Sequence, residues 1–410
     1  MKYSKIVLFT LIALVISDFF KYLSWVGGLN FDNSTSISSL LNYTSIFIMV
    51  FIASESKWND EIPNTIKNWF KLWMFWNIIN LLRGALLAAD YWDWKMLFLS
   101  SFFFSLIPLA FFLGKNLDIV ATIFKFVLKY LFPLGFLFIP LTLATNEELY
   151  SRLMIPISLF ILFIPFLKFK WKFLIIVVAA TSLLMVIGFR SNIIKIAFSV
   201  ILLMVYYFRE YLRKSWLKLV QLILFLIPLV LLSLAITDQY NVFERTSTEV
   251  GYSSINSKGE EENLMADTRT GLYVDVFNSL NNSSDWLFGK SAIASYESEM
   301  FFDTGGAING KRYGCEVGIL NILLRNGLIG VTCYFLLLFT VSGYAIKYSS
   351  NILAKMMGLF IAFRWAYSFV EEFTQYDLNF YFFWIAIGLV SSVQFRDMTD
   401  KEIRIFFELQ

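Results

Sequence analysis

The 410-residue sequence contains no histidine and only two cysteines, and these absences remove several kinds of chemistry. Without an imidazole there is no histidine general base, no histidine-ligated metal or haem and no histidine proton relay. If the segment between Cys315 and Cys333 is helical, their Cα atoms lie roughly 27 Å apart, beyond the reach of a disulfide. Any acid–base chemistry therefore falls to carboxylates.

Charged residues are also scarce, at 16% of the chain, whereas 58% of the residues are hydrophobic. This composition is typical of a polytopic membrane protein. The net charge of +3 gives no basis for binding nucleic acid, because Lys and Arg lie in short clusters between apolar runs. No small-x-small cleavage site follows the first apolar run before Asp18, so we interpret that run as a membrane helix and not as a signal peptide.

Twelve apolar runs approach or exceed the roughly 20 residues needed to cross a bilayer core. Lys and Arg gather in alternate connections, for example "KFKWK" (168–172) and "REYLRKSWLK" (209–218), which predicts cytoplasmic termini by the positive-inside rule. The predicted architecture is all-α, with spans near residues 5–24, 37–54, 67–88, 95–113, 118–141, 150–168, 171–188, 192–208, 216–236, 317–346, 351–370 and 377–394.

One connection is much longer than the others. Residues 237–315 form a polar segment on the predicted outer side, and a loop of this length is usually functional or disordered. Within it, "TRTGLYVDVFNSLNN" predicts an amphipathic helix, which favours partial order. The chain thus divides into helices 1–9 (1–236), the long loop (237–315) and helices 10–12 (316–410).

Two arginines at the predicted outer face are candidates for anion binding. Arg190 ends the seventh span in "VIGFRSNIIK", where a guanidinium could bind a phosphate group or simply snorkel to the interface. Arg269 begins the predicted amphipathic helix, where it could bind an anion beside the helix N-terminus. The alternative for Arg269 is a local pair with Asp267 or Asp275.

Glu316 is the candidate base. Leu320, Leu323 and Gly327 follow it at helical spacing, so the carboxylate is predicted to head an apolar stripe at the membrane boundary. One interpretation is structural, because an acid in the first turn interacts favourably with the helix dipole. The other is functional, because partial desolvation makes a carboxylate a better base for a sugar hydroxyl.

Further residues near the outer face are secondary candidates, each interpreted first as a topology, packing or ion-pair residue. Aromatic side chains could stack on sugar rings, although the many aromatic residues of the chain make their placement a weak signal. The secondary candidates are Arg83, Lys311, Arg312, Arg325, Arg364, Glu371, Glu372, Tyr273, Trp286 and Tyr313.

Three short elements occur in a defined order. An Arg-Ser stands at the outer end of a span in "GFRSNIIKIAFSV", the long loop carries Arg269 followed by a W-x-x-G in "DWLFGKS", and Glu316 stands eleven residues before Gly327-Leu-Ile-Gly. Together they resemble the O-antigen polymerase and O-antigen ligase group of polytopic membrane glycosyltransferases (Wzy-type). Ligases of that group typically carry a histidine where Glu316 stands, so the absence of histidine favours a polymerase.

The resemblance implies a GT-C-like fold and transfer between two undecaprenyl-pyrophosphate-linked glycans at the outer leaflet of a bacterial cytoplasmic membrane. Glu316 would deprotonate the acceptor hydroxyl, while Arg190 and Arg269 would bind the donor pyrophosphate. Inverting transfer without a metal ion or cofactor is expected, with the bilayer and a chain-length regulator as further partners. The alternatives are ligation to another acceptor, a lipid-linked oligosaccharide transporter and a structural partner in an export complex.

Overall fold

The computed structural model describes residues 4–23, 34–56, 62–145, 149–185, 190–237, 239–241, 253–255, 261–263, 268–298, 310–372 and 374–408. Within these residues the chain is predominantly helical, and its four short strands form two antiparallel pairs.

Before the long loop, the described residues form helices and no strands. Several of the predicted spans are divided into shorter helices, because prolines such as Pro108 lack the backbone N–H that a regular helix needs. The helices are α1 (Ser4–Leu23), α2 (Ser34–Glu55), α3 (Asn64–Leu87), α4 (Tyr91–Met96), α5 (Phe102–Leu106), α6 (Ala110–Gly114), α7 (Leu117–Phe126), α8 (Phe132–Gly135), α9 (Ile139–Thr145), α10 (Leu149–Met154), α11 (Ile157–Phe160), α12 (Phe169–Leu184), α13 (Arg190–Tyr207) and α14 (Lys214–Ile236).

Short π-helical and 3-10 segments join these divided helices. The π turns are Leu97–Ser101 and Val127–Leu131, and the 3-10 turns are Ile107–Leu109, Phe136–Phe138 and Ile161–Phe166. They keep the chain winding in one direction, so that α4 to α6 and α7 to α9 each form one broken helical rod.

The second part of the chain contains the strands and a group of strongly buried helices. Strand β1 (Ser253–Ile255) pairs with β2 (Glu261–Asn263), and β3 (Tyr296–Glu297) pairs with β4 (Lys311–Arg312) so that Tyr296 lies opposite Arg312. The elements are β1 (Ser253–Ile255), β2 (Glu261–Asn263), α15 (Thr268–Ser279), α16 (Ser283–Phe288), β3 (Tyr296–Glu297), β4 (Lys311–Arg312), α17 (Gly318–Tyr348), α18 (Ile352–Tyr367), α19 (Leu378–Ser391), α20 (Val393–Asp397) and α21 (Asp400–Glu408).

The prediction of an all-α membrane protein is confirmed at the level of composition and helix length. Helix covers most of each of the twelve predicted runs. Three shorter apolar helices are Tyr150–Phe166, Asn192–Tyr207 and Leu378–Ser391. Among the described residues, five stretches are long and apolar enough to cross a membrane: Ile37–Glu55, Tyr91–Gly114, Leu117–Leu143, Lys214–Ile236 and Gly318–Tyr348.

The centre of the fold is an aromatic core around α17, α18 and α19. The ring of Tyr334 lies 5.2 Å from that of Trp73 on α3, and 6.3 Å and 6.4 Å from those of Trp365 and Trp384. All four side chains are almost fully buried, and such rings contribute large apolar areas and favourable tilted contacts. These ring contacts pack α17, α18 and α19 against one another and against α3.

The described end of the long loop packs onto this core. The predicted amphipathic helix is present as α15, and Leu272 and Val276 form its buried stripe at four-residue spacing, which the buried Leu280 continues just beyond the helix end. The Tyr273 hydroxyl donates a 2.8 Å hydrogen bond to the carbonyl of Phe369, just beyond α18. These contacts hold Arg269, at the start of α15, close to the end of α18.

Candidate functional site

Glu316 lies immediately before Val317, the N-cap residue of α17, and both of its carboxylate oxygens are occupied. Oε2 accepts a 2.9 Å hydrogen bond from Nη1 of Arg269, and Oε1 accepts one of 2.9 Å from Nη2 of Arg312. About a quarter of the Glu316 and Arg269 side chains is exposed, at 26% and 23%. The structure thus brings together two predicted site residues that are 47 positions apart in the chain.

Two details of the predicted helix around Glu316 were wrong. The helix begins at Gly318, so Glu316 lies outside its first turn, because its backbone carbonyl accepts a hydrogen bond from the N–H of Glu372 (3.1 Å). The predicted stripe also ends before Gly327, whose φ of 64° and ψ of −171° are not helical. The carboxylate therefore precedes the first turn, in which the structural interpretation placed it.

Arg269 connects Glu316 to a second acid. Its Nη2 donates a 3.0 Å hydrogen bond to Oε2 of Glu371, so the residues Glu371, Arg269, Glu316 and Arg312 form a continuous series that we call the outer ion-pair chain. Burial by itself lowers the pKa of Arg269, but the charges of Glu371 and Glu316 outweigh it and raise the pKa. Arg269 is therefore a permanent cation that two acids share.

The local pairs weighed for Arg269 are not its described contacts. Asp275 instead accepts a 2.7 Å hydrogen bond from the hydroxyl of Ser298, and Asp267 lies outside the described residues. Arg269 reaches across to the ends of α17 and α18 because α15 packs its buried stripe against the core. The contact is therefore made by tertiary packing and not by the local sequence.

Glu372, next to Glu371, has a different environment. Arg364 donates two hydrogen bonds to its carboxylate, from Nε at 2.8 Å and from Nη2 at 2.7 Å, and Asn379 donates a third at 2.8 Å. Nζ of Lys195 lies 4.0 Å from the same carboxylate, and only 3% of the Glu372 side chain is exposed. This secondary candidate is an enclosed anchor, and it cannot reach a substrate hydroxyl in this arrangement.

Sequence reasoning did not single out Lys195 or Asn379. Each lies in an apolar helix, Lys195 in α13 and Asn379 in α19, and both side chains are buried. A charged residue inside an apolar run is a usable signal, because it must find a partner when the helix is buried. Which partner it finds depends on packing that a single sequence does not display.

Two more arginines, Arg190 and Arg83, were predicted near the outer face. Arg190 begins α13, but its side chain lies outside the described residues. Arg83 is structural, since it donates to the carbonyls of Phe288 (2.8 Å) and Gly289 (3.0 Å) and so ties α3 to the end of α16. It does not contact the outer ion-pair chain through any described bond.

The three candidate aromatic residues all have protein partners. Tyr273 is buried and bonded to Phe369, and the ring of Trp286 lies 5.2 Å from that of Phe277. The hydroxyl of Tyr313 donates a 3.1 Å hydrogen bond to Asp93, and burial together with this bond raises the pKa of Tyr313 to about 12. None of these contacts identifies a ring that is free to stack on a sugar.

Cys315 adjoins Glu316 but lacks the features of a nucleophile. Both cysteines are free and buried. Burial raises the pKa of the Cys315 thiol to about 11, so it stays protonated at neutral pH, whereas the thiolate is the reactive form. The carboxylate of Glu316 is therefore the better candidate for a reacting group in this segment.

The W-x-x-G and Gly-Leu-Ile-Gly elements meet in space. A Cβ placed on Gly289 would lie 2.5 Å from the carbonyl carbon of Arg325, and one placed on Gly327 would clash with the backbone nitrogen of Gly289. Both glycines have positive φ, and the break at Gly327 leaves the carbonyl of Leu324 to accept a 2.8 Å hydrogen bond from the N–H of Lys290. The two elements are thus a backbone-to-backbone joint between the loop and α17.

Replacing Gly289 with alanine is expected to lower the free energy of unfolding by about 2–4 kcal/mol, because the new methyl group meets backbone atoms and the left-handed φ disfavours alanine. Thermal unfolding of the purified protein in detergent measures the effect. Gly343→Ala is the matched control, since its Cβ would make only an ordinary 3.5 Å contact with Gln221. Equal unfolding temperatures for the two variants would contradict the close approach at Gly289.

A cavity of about 940 Å³ lies beside the outer ion-pair chain. Its wall is mostly apolar and comes from α13, α14, α15 and α18, with Ile194, Leu231, Tyr273, Phe363 and Val370 among the lining residues. Thr270, which follows Arg269 in the chain, also lines it. This cavity was not predicted, because in a sequence the apolar residues that line a cavity are not distinguishable from those that face lipid.

Comparison with known proteins found no match to this chain. No protein-family model matches the chain, and no curated protein and no solved structure matches it either.

Proposed function

We propose that this protein is a membrane glycosyltransferase of the polymerase type, which joins undecaprenyl-pyrophosphate-linked repeat units into an O-antigen or capsular polysaccharide. The observation that carries the proposal is the 2.9 Å contact between Glu316 and Arg269. It supplies an accessible carboxylate beside a permanent cation at the start of an apolar helix. A base next to an anion-binding group is what glycosyl transfer from a pyrophosphate requires.

The proposed architecture is GT-C-like, with twelve crossings and both termini in the cytoplasm. The helices over the twelve predicted runs and the alternation of basic and acidic connections support this arrangement. It assigns the long loop, including α15, to the outer side of a bacterial cytoplasmic membrane. The outer ion-pair chain then faces the leaflet in which the lipid-linked substrates lie.

In the proposed reaction the acceptor hydroxyl oxygen attacks C1 of the donor sugar. A new C1–O bond forms while the bond between C1 and the pyrophosphate oxygen breaks, and the hydroxyl proton passes to Glu316. The electron pair of the broken bond leaves with the lipid pyrophosphate, whose growing negative charge Arg269 and Arg190 stabilise. One base and one displacement give inversion at C1.

Donor binding is expected to rearrange the outer ion-pair chain. Each oxygen of Glu316 accepts one hydrogen bond from an arginine and keeps a second lone pair for an acceptor hydroxyl. A pyrophosphate carries more negative charge than a carboxylate and competes for the guanidinium of Arg269. We therefore expect donor binding to turn Arg269 away from Glu316, with Arg312 still orienting the carboxylate.

The apolar cavity suits the lipid part of the donor. Its wall of aliphatic and aromatic side chains matches a polyprenyl chain, and Thr270 places the cavity next to the cation that would hold the pyrophosphate. The proposal thus assigns the two halves of an amphipathic donor to adjoining apolar and charged surfaces. A chain-length regulator is a further proposed partner.

Reconstitution of the purified protein with the lipid-linked repeat unit tests the proposal. A polymerase yields a ladder of products on a gel, each longer by one repeat unit. A single addition to a different acceptor would instead support ligation, and passage of intact substrate across the membrane without a new glycosidic bond would support a transporter. Absence of any product with active substrate would contradict the glycosyltransferase proposal.

A further inference from the structure

Arg325 is a buried cation that forms no ion pair with any described residue. Only 5% of the residue is exposed. In the chain it lies on α17, nine residues after Glu316 and two before Gly327. In the described part of the chain no carboxylate lies within 4.0 Å of its guanidinium, in contrast to Arg269, Arg312 and Arg364. Burying an unpaired charge is costly, so its presence calls for an explanation.

The hydrogen bonds of Arg325 do not offset this cost. In the part of the chain that the structure describes, Nε and Nη1 are buried without an acceptor, and Nη2 has only a long 3.4 Å contact with the hydroxyl of Ser100. The guanidinium lies over the ring of Phe104, 5.1 Å from its centroid, which fixes its plane. Arg325 is thus held in place by the ring, while the N–H groups of Nε and Nη1 have no acceptor among the described residues.

Asn321, one helical turn before Arg325 on α17, carries an unused acceptor. Among the described residues Oδ1 of Asn321 is buried without a hydrogen bond, while Nδ2 of the same side chain donates a 2.7 Å bond to the hydroxyl of Thr374, which fixes the orientation of the amide. Both groups border the same face of Gly314. A Cβ placed on Gly314 would lie in ordinary contact with both, 3.7 Å from Nη2 of Arg325 and 3.8 Å from Oδ1 of Asn321.

We propose that Arg325, Asn321 and the face of Gly314 that they border form a subsite for an acidic sugar, that is, a sugar bearing a carboxylate. The carboxylate would neutralise Arg325 and accept from Nη2, the guanidinium nitrogen near Gly314, and a ring hydroxyl would donate to Oδ1 of Asn321. A neutral sugar would leave the charge uncompensated. A fully ionised phosphate offers no donor for the amide oxygen, so it fits the pair of groups less well.

The subsite also has a place in the proposed reaction. Gly314 precedes Glu316 by two residues, so a sugar held there lies next to the candidate base. Assigning that sugar to the acceptor glycan rests on the proposed function, whereas the binding of an acidic sugar does not. Thermal unfolding with added sugars tests this binding without requiring turnover.

The experiment is thermal unfolding of the full-length protein in detergent, followed with a thiol-reactive fluorogenic dye that reports exposure of the buried Cys315 and Cys333. The probes are D-glucuronate, D-glucose, inorganic pyrophosphate and sodium chloride, with ionic strength matched. We expect D-glucuronate at about 50 mM to raise the unfolding temperature by about 2 °C more than the other three. No excess shift with glucuronate, or an equal or larger shift with pyrophosphate, would overturn the acidic-sugar assignment.

Variants of Arg325 separate binding from folding. Arg325→Met is expected to unfold about 2 °C higher without ligand, since it removes an unpaired buried charge, and to lose the glucuronate shift. Arg83→Met is the matched control, because it removes an arginine with good hydrogen bonds; it should unfold at a lower temperature and keep the shift. A glucuronate shift that persists in Arg325→Met would overturn the proposal.

A second variant keeps the test decisive if Arg325→Met does not fold. Asn321→Leu retains the cation but removes the amide oxygen, and it is expected to lose about half of the glucuronate shift. An undiminished shift in Asn321→Leu would show that the sugar does not occupy the face of Gly314 that Asn321 borders.

Discussion

Glu316→Gln is expected to lower polymer formation by roughly 10²–10⁴-fold, the usual contribution of a positioned general base. Glutamine has nearly the same shape as glutamate but cannot take the proton of the acceptor hydroxyl. The fold should persist, because the Glu316 side chain is 26% exposed and its ion pairs are only partly buried. The measurement is the initial rate of ladder formation at saturating donor, with the unfolding temperature recorded in parallel.

The matched control for Glu316→Gln is Glu371→Gln. It also removes one carboxylate that bonds Arg269, and its exposure is similar at 21%. We expect its rate to fall by about tenfold or less, because Arg269 would be less well positioned while the base stays in place. Equal losses in the two variants would contradict the assignment of Glu316 as the base and would indicate that the charge of the outer ion-pair chain matters as a whole.

Glu372→Gln is expected to lower the free energy of unfolding by about 3–5 kcal/mol, the largest stability effect that we expect in this chain. The substitution leaves the guanidinium of Arg364 buried without a counter-charge, and Nζ of Lys195, 4.0 Å from the carboxylate, loses the same partner. Breaking one side of a buried ion pair is much more costly than breaking an exposed one. Unfolding of the purified protein by heat or denaturant measures the loss.

Glu371→Gln again provides the comparison, now for stability. The two acids are adjacent in sequence, but the Glu371 side chain is about seven times as exposed as that of Glu372, at 21% against 3%. We expect a change of no more than about 1 kcal/mol for Glu371→Gln. Similar losses for both variants would show that Glu372 is not the enclosed anchor that its three hydrogen bonds indicate.

Hydropathy and charge patterns were sufficient to predict the helical membrane class and the amphipathic helix of the long loop. These features depend on the local order of apolar and polar residues, which is visible in a sequence. Arg269 and Glu316 were both singled out by the resemblance of three short elements. Their spacing in the chain does not predict that they are in contact. The predicted role of Arg190 stays a prediction.

What the sequence could not supply were the long-range contacts of polar side chains. Glu371 and Glu372 are neighbours in the chain, yet one bonds Arg269 and the other bonds Arg364, because successive residues after α18 point in different directions. The kink at Gly327 was also hidden, since a glycine in an apolar run is tolerated in a helix and gives no unique signal. Such features are decided by which surfaces happen to pack together.

The apolar cavity next to Thr270 has a consequence for kinetics. Part of its wall belongs to α14, most of which is exposed at the surface that a bilayer would cover, and Ile194 and Val274 at the wall are about half exposed. A ligand with a long hydrocarbon chain reaches such an opening by lateral diffusion within the leaflet. Its occupancy is then set by its mole fraction among the lipids. Diluting proteoliposomes into more buffer should leave the rate per enzyme unchanged, whereas adding inert lipid to the same vesicles should lower it.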